Sequence, residues 1–309
     1  MANIRPLPVH LALKAQNELN EVPERIEEDL NALKTWIRQQ PHLRARTDDQ
    51  FLVGFLRGCK YSLERVKKKL DIYYSFRTNL PDLIMNSDPL LEKNKLFLKQ
   101  GVGLRLPNTI TPDGACILLI RPERYDPAKV DIIDIFRYIV MVFDIFIIDN
   151  DQWTVSGVLE VIDLANVTMA HILQFTPIYI KKLSVICQDA MPLRLKGVHC
   201  INAPPGFDTV FNSFKRFLSE KNRNRIYIHG DLGNLYKHIP QKLLPTEYGG
   251  EGGSIKDLTT CWENKFLEYR DYLMEESKYG TDEKKRPGRP KTEETLFGID
   301  GSFRKLSVD

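Results

Sequence analysis

Between Ser156 and Asp231 three short apolar runs alternate with helix-like stretches, and that alternation leaves few architectures open. Gly157 to Leu164 is rich in β-branched residues and ends in a polar turn. Leu195 to Asn202 is stopped by Pro204, Pro205 and Gly206, and Arg225 to His229 is closed by Gly230 and Asp231. Strands separated by helical segments of this length pair in parallel beneath their crossovers, so an α/β layer is expected. Between the second and third runs, Phe207, Val210, Phe211, Phe214, Phe217 and Leu218 recur at the spacing of one helix face. A phenylalanine-lined helix beside a sheet must cover something.

Two further runs, Gly101 to Leu106 and Ala115 to Arg121, flank the turn sequence Thr111-Pro112-Asp113-Gly114 and read as strands. Ile132 to Ile148 is nearly all apolar, but Asp134, Arg137 and Asp144 interrupt it. Three charges in so short a run argue for a helix buried on most of its circumference, not a membrane span. Another helix is expected from Met169 to Cys187. Upstream, Ile26 to Ile37, Asp49 to Leu56 and Leu63 to Phe76 carry inward apolar faces, with Ser62-x-x-Arg65 opening the third. After the last strand come a short helix, Leu232 to His238, and an amphipathic one, Leu258 to Met274. The organisation that follows is an arm (1–22), a helical domain (23–95), an α/β domain (96–255), a C-terminal helix (256–277) and a tail (278–309). The tail is charged and rich in proline and glycine, so it is expected to be disordered, with Leu296-Phe297-Gly298 and Phe303 to Leu306 as sticky spots.

The formal charge of +3 is too small for the chain as a whole to bind nucleic acid. Lys284 to Lys291 resembles a minor-groove hook, but Pro287 breaks its arginine fork, and a basic linker is the expected reading. Five separated cysteines fit a reducing compartment, and the first residues hold no secretory apolar region. No nucleophile elbow, zinc-protease motif or phosphate loop occurs; His171, His199 and His229 are the histidines that could converge.

Several of these stretches, taken together and in order, resemble the CRAL-TRIO (Sec14-like) lipid-transfer family. They are Phe51-Leu52-x-x-Phe55-Leu56-Arg57, Ile162-Asp163-Leu164, Pro192 to Gly197, Ile201-Asn202-x-Pro204 and Leu244-Pro245-x-Glu247-Tyr248-Gly249-Gly250. Within it the chain looks closest to the branch of alpha-tocopherol transfer protein and cellular retinaldehyde-binding protein, and its tail resembles those of insect members. The resemblance implies a helical N-terminal domain packed on an α/β sandwich whose mostly parallel sheet floors a lipid cavity. It implies a cavity lined by Phe136, Ile139, Phe143, Val158, Ile162, Leu183, Ile186, Leu193 and Leu195. The phenylalanine stripe would be its gate. Ile139 and Phe143 replace small hydroxyl residues of the tocopherol-transfer branch, so a bulkier, drier pocket is expected and tocopherol itself is disfavoured.

The basic residues Arg194, Lys196, Lys215, Arg216, Lys221, Arg223 and Arg225 cluster in sequence. In that branch the positions of Arg194, Lys196, Lys221 and Arg225 hold a phosphoinositide headgroup, and arginine forks suit phosphate. A further arginine of the family cluster falls at Cys59, with Lys60 as its stand-in. The resemblance thus implies a monomeric, non-enzymatic cytoplasmic carrier without cofactor. It would take one small hydrophobic lipid (a retinoid, a tocopherol-like or other isoprenoid, or a sterol) and exchange it at phosphoinositide-containing endosomal or plasma membranes. The alternative is a lipid-regulated phosphoinositide-binding adaptor in vesicle trafficking.

Overall fold

The structure is a computed structural model and describes residues 2–106, 114–207, 211–212 and 215–298. A helical layer comes first: α1 (Val9–Leu19), α2 (Ile26–Arg38), the short strand β1 (Leu43–Arg44), α3 (Asp49–Gly58), α4 (Leu63–Asn79) and α5 (Glu92–Gln100). The α/β part follows with β2 (Gly103–Arg105), β3 (Cys116–Ile120), α6 (Ile132–Asp149), α7 (Asp151–Ser156), β4 (Val158–Asp163), α8 (Met169–Leu173), α9 (Pro177–Val185), β5 (Leu195–Ile201) and β6 (Ile226–Ile228). The sheet order is β2-β3-β4-β5-β6; β2 is antiparallel to β3 and all other pairs are parallel. The expected mixed α/β architecture is therefore present. Of the turn between β2 and β3, Thr111, Pro112 and Asp113 lie outside the described residues.

The apolar run of α6 is a buried helix, and among the described residues no helix is long and apolar enough to cross a membrane. Each of its charges has a partner, which is what makes burial tolerable. Asp131 caps the N-terminus with Asp134 returning the bond, and Asp134 also takes Arg137 at 2.7 Å. Asp144 accepts from the Tyr73 hydroxyl at 2.7 Å and from Arg77, both on α4. Arg77 and Arg46 in turn meet Glu276, near the C-terminus. Asp144 and Glu276 are both raised above the ordinary carboxyl range, first by burial. This four-residue ion cluster ties the helical layer, α6 and the C-terminal helices into one continuous core.

Two elements differ from expectation. The helix predicted from Met169 to Cys187 breaks at Gln174–Thr176, because Pro177 forces the residue before it out of helical geometry and can only begin a new helix. Likewise the last amphipathic helix divides into Ile255–Glu268 and Arg270–Glu275.

Two terminal segments are more structured than their composition suggests. The arm forms α1, and its Leu11, Ala15 and Leu19 bury against Val155 of α7. The tail to Gly298 is ordered, contrary to the expected disorder and linker. A short strand, β7 (Gly280–Thr281), pairs antiparallel with β1. Arg286 donates to Asp71 of α4 at 2.8 and 3.0 Å, Glu293 pairs with Lys182, and Phe297 is fully buried. The tail's charges find partners on α4 and α9, so hydration no longer favours the free state. The residues 299–309, including Phe303 to Leu306, lie outside the described residues.

Candidate binding cavity and basic flank

Alternation on β4 turns Glu160 and Ile162 to the same side. The register sets Leu118 of β3 and Val198 of β5 level with Glu160, and Ile226 of β6 level with Val198. The next row is Ile120, Ile162 and Cys200. These two rows floor a cavity of about 350 Å³. Ile135, Ile139, Val142 and Phe143 of α6 form one wall, the i, i+4 and i+7 pattern of a single helix face. Leu183 of α9 and Cys187, in the wide turn that follows, form another.

Of the proposed gate, Phe207, Phe211 and Leu218 line the cavity. The rings of Phe207 and Phe211 stack 5.8 Å apart, and the Lys215 ammonium lies 4.9 Å from the Phe211 ring. Phe217 is not on the wall; its carbonyl accepts from the Ser184 hydroxyl at 2.7 Å. Val210 and Phe214 lie outside the described residues.

Of the nine residues named for the lining, Ile139, Phe143, Ile162 and Leu183 are on the wall of this cavity, and five others are not. Phe136 is rotated toward α9, its ring edge-on to Tyr179 at 6.0 Å. Ile186 is buried one residue before the lining Cys187. Val158 lies one row below the floor, where the β4–β5 register slips between Val158 and Leu159. That slip also upsets strict alternation carried over to β5, and Leu193 and Leu195 are half-buried around the core instead. The sequence reading missed Glu160, Tyr125, His171, Val198 and the two cysteines on the wall. The alternation of Glu160 with Ile162 was the available signal.

Polar groups on the wall are mostly spoken for. Tyr138 donates to the Gly103 carbonyl at 2.9 Å, Tyr125 to Gln174 at 3.2 Å, and His171 binds Thr168 and the Tyr125 carbonyl. Burial without a neighbouring cation pushes the Glu160 carboxyl up to about 7. Burial, followed by the nearby Glu160, pushes the Cys200 thiol up to about 12.

The basic flank is a real cluster in space. The Lys221 ammonium is held below its usual range by burial and then by Arg225, Lys60, Arg194 and Arg65 around it. Arg65 was read only as a helix opener. Lys60 and Tyr61 both have positive φ in the α3–α4 turn, which Tyr61 anchors by donating to Glu21 at 2.8 Å. Arg194 follows the same logic: burial lowers it first, with Glu18 as counterion 3.6 Å away and Arg225 opposing. Gly157, at φ +92°, lets β4 begin beside Arg194, since a Cβ there would meet the Arg194 carbonyl at 2.2 Å. Arg225 donates to the Leu195 carbonyl, and Lys196 is half-buried on the same strand. Cys59 itself is buried, and burial pushes its thiol up to about 11.

His199 and His229 do converge, Nδ1 to Nε2 at 2.9 Å, joined by His238, whereas His171 stands apart in the cavity wall. Among the described residues no group of histidine, cysteine or carboxylate side chains is arranged to hold a metal ion.

The CRAL/TRIO domain family matches residues 105–250, and the Pinta-like UBA domain matches residues 22–94. Human "Alpha-tocopherol transfer protein-like" is 34% identical over 268 residues, 86% of this chain and 77% of that protein. This chain belongs to the CRAL/TRIO family. Human Clavesin-2 is 29% identical over 239 residues, covering 77% of this chain and 72% of the other. The crystal structure of Sfh5 superposes with a TM-score of 0.49 at 14% identity, over 87% of this chain and 99% of that one. In this CRAL/TRIO member, then, the cavity lies between the sheet, α6, α9 and the phenylalanine segment, and the basic cluster sits beside β5 and the α3–α4 turn.

Proposed function

We propose that this chain is a carrier that shelters one small hydrophobic lipid and exchanges it at phosphoinositide-bearing membranes. The observation that carries this reading is the nearly all-apolar cavity of about 350 Å³ lined on one side by Phe207, Phe211 and Leu218. Its volume is at the lower end for ligand sites and suits a single-chain or fused-ring lipid better than a diacyl phospholipid. A cargo hiding about 400 Å² there gains about 10 kcal/mol. Spontaneous release is then slow, and a membrane trigger is required.

The cluster of Lys60, Arg194, Lys196, Lys221 and Arg225 supports the membrane side of the reading, with Arg65 added by geometry. Each cation near an anionic surface contributes about 1 kcal/mol, so the cluster docks the protein and biases the gate but does not expel the lipid alone. No bond is made or broken in this mechanism, and no cofactor takes part. The protein acts as a monomer, cytoplasmic and peripheral to endosomal or plasma membranes.

The deciding experiment is native mass spectrometry of protein purified from its own tissue, with organic extraction of what accompanies it. One stoichiometric isoprenoid, retinoid or sterol is expected. Protein that arrives empty or with phospholipid alone would overturn the carrier and favour a lipid-sensing adaptor.

A further inference from the structure

Across the cavity floor, Leu118, Glu160, Val198 and Ile226 form one level row on four adjacent strands, and only one of the four is polar. Glu160 is half-buried in the sheet and faces the apolar cavity. Among the described residues it has no hydrogen-bond or ion-pair partner. None of its neighbours on the wall is bonded to it: Cys187 and Cys200 are neutral thiols, weak donors at best, and Tyr125, Tyr138 and His171 are engaged with other groups. A buried polar group without a partner costs free energy that apolar packing does not return. A carboxyl in this position is therefore incomplete without something in the cavity.

We propose that Glu160 is the polar anchor of the cavity and selects a lipid that carries a hydroxyl group. The inference rests on the carrier reading and narrows its cargo. Burial keeps the group mostly protonated up to about pH 7, so it presents both a donor and an acceptor. A hydroxyl can accept from the acid O–H and donate to the acid carbonyl. An aldehyde or ester can only accept, and a pure hydrocarbon does neither. A fatty-acid carboxylate brings a negative charge into an apolar chamber whose described lining holds no lysine or arginine. On β4 the residues reaching the cavity are Glu160, Ile162 and then, past the strand, Leu164, part of the cluster with Val198 and Cys200 that Phe207 packs against. The cargo hydroxyl accordingly lies at the end away from Leu164 and Phe207, with the apolar remainder running beneath the phenylalanines.

The test uses full-length protein stripped of lipid and two matched probes, geranylgeraniol and the hydrocarbon lacking its hydroxyl, measured by titration. Wild type is expected to prefer the alcohol about ten-fold, the size of one well-made buried hydrogen bond. Glu160→Leu should abolish the preference by binding the hydrocarbon more tightly, while Glu160→Gln, which still donates and accepts, should keep most of it. Equal binding of the two probes by wild type would overturn the proposal without any variant, and so would a preference that survives in Glu160→Leu. In both cases lipids still bind and the carrier reading stands. If wild type, folded by near-ultraviolet circular dichroism, binds neither probe nor any other single-chain lipid, the carrier reading and this inference fall together.

Discussion

At the scale of single residues, the cavity exists because large apolar side chains on the sheet, α6, α9 and the phenylalanine segment fail to meet. Filling the gap is therefore expected to cost little, since the added atoms enter existing space instead of a packed core. Ile162 sits in the centre of the second floor row, level with Ile120 and Cys200. Ile162→Trp should abolish lipid retention, read by extraction after purification, while the melting temperature stays within a few degrees of wild type. A collapse in stability would mean that the space is already filled by packing. Parity on one strand could be read from the sequence, as Ile162 shows. The slip beside Val158, which upsets the alternation carried over to Leu195, could not, because register belongs to a pair of strands.

Among elements, the C-terminal segments behave as a clasp around α4. Glu276, Asp144, Arg46 and Arg77 are nearly fully buried and charge-balanced. Glu276→Gln removes the buried carboxylate that Arg46 and Arg77 share, leaving Arg77 to Asp144 and Arg46 to the more exposed Glu275, and should cost about 3 kcal/mol, measured by urea unfolding with an unchanged slope. Further along, Arg286 and the Lys291 amide hold the Glu283 carboxyl down to about 2 against the opposing effect of burial. A carboxyl lowered on folding stabilises fully above its free value of 4.5 and loses that contribution as pH falls toward 2. Limited proteolysis near residues 286–291 should accelerate across that window in wild type. Glu283→Gln should be cleaved faster already at neutral pH. Composition alone pointed to disorder here because it records charges without the carboxylates they will meet; Asp71, more than two hundred residues away, is what changes the outcome.

For the whole molecule, cavity and basic cluster are built from different elements but share β5, so a surface event beside Arg194 and Lys196 adjoins the floor at Val198 and Cys200. If docking and carriage are separate functions of that arrangement, Lys221→Glu with Arg225→Glu should lose binding to vesicles containing phosphatidylinositol bisphosphate. The same protein should keep its co-purifying lipid. Wild-type binding should weaken steeply between low and physiological salt, as screening requires. Loss of cargo in the double variant would show that the cluster supports the cavity and not the membrane contact.

Periodicity and punctuation in the chain were enough for the α/β class, the buried character of α6 and the order of the strands along the sequence, while the family came from the resemblance of its motifs taken in order. These are local properties: alternation, helical spacing, capping residues and turns repeat over a few residues and survive in any context. Tertiary structure decided the rest. It set the strand register that levels Glu160 with Leu118 and Val198 and took Phe136 out of the wall by one step of helix rotation. It also gathered Arg65 with Lys221 and turned a charged tail into a clasp. Each depends on which distant groups come within a few ångströms, where burial and pairing change the free energy of a charge by more than its local sequence does.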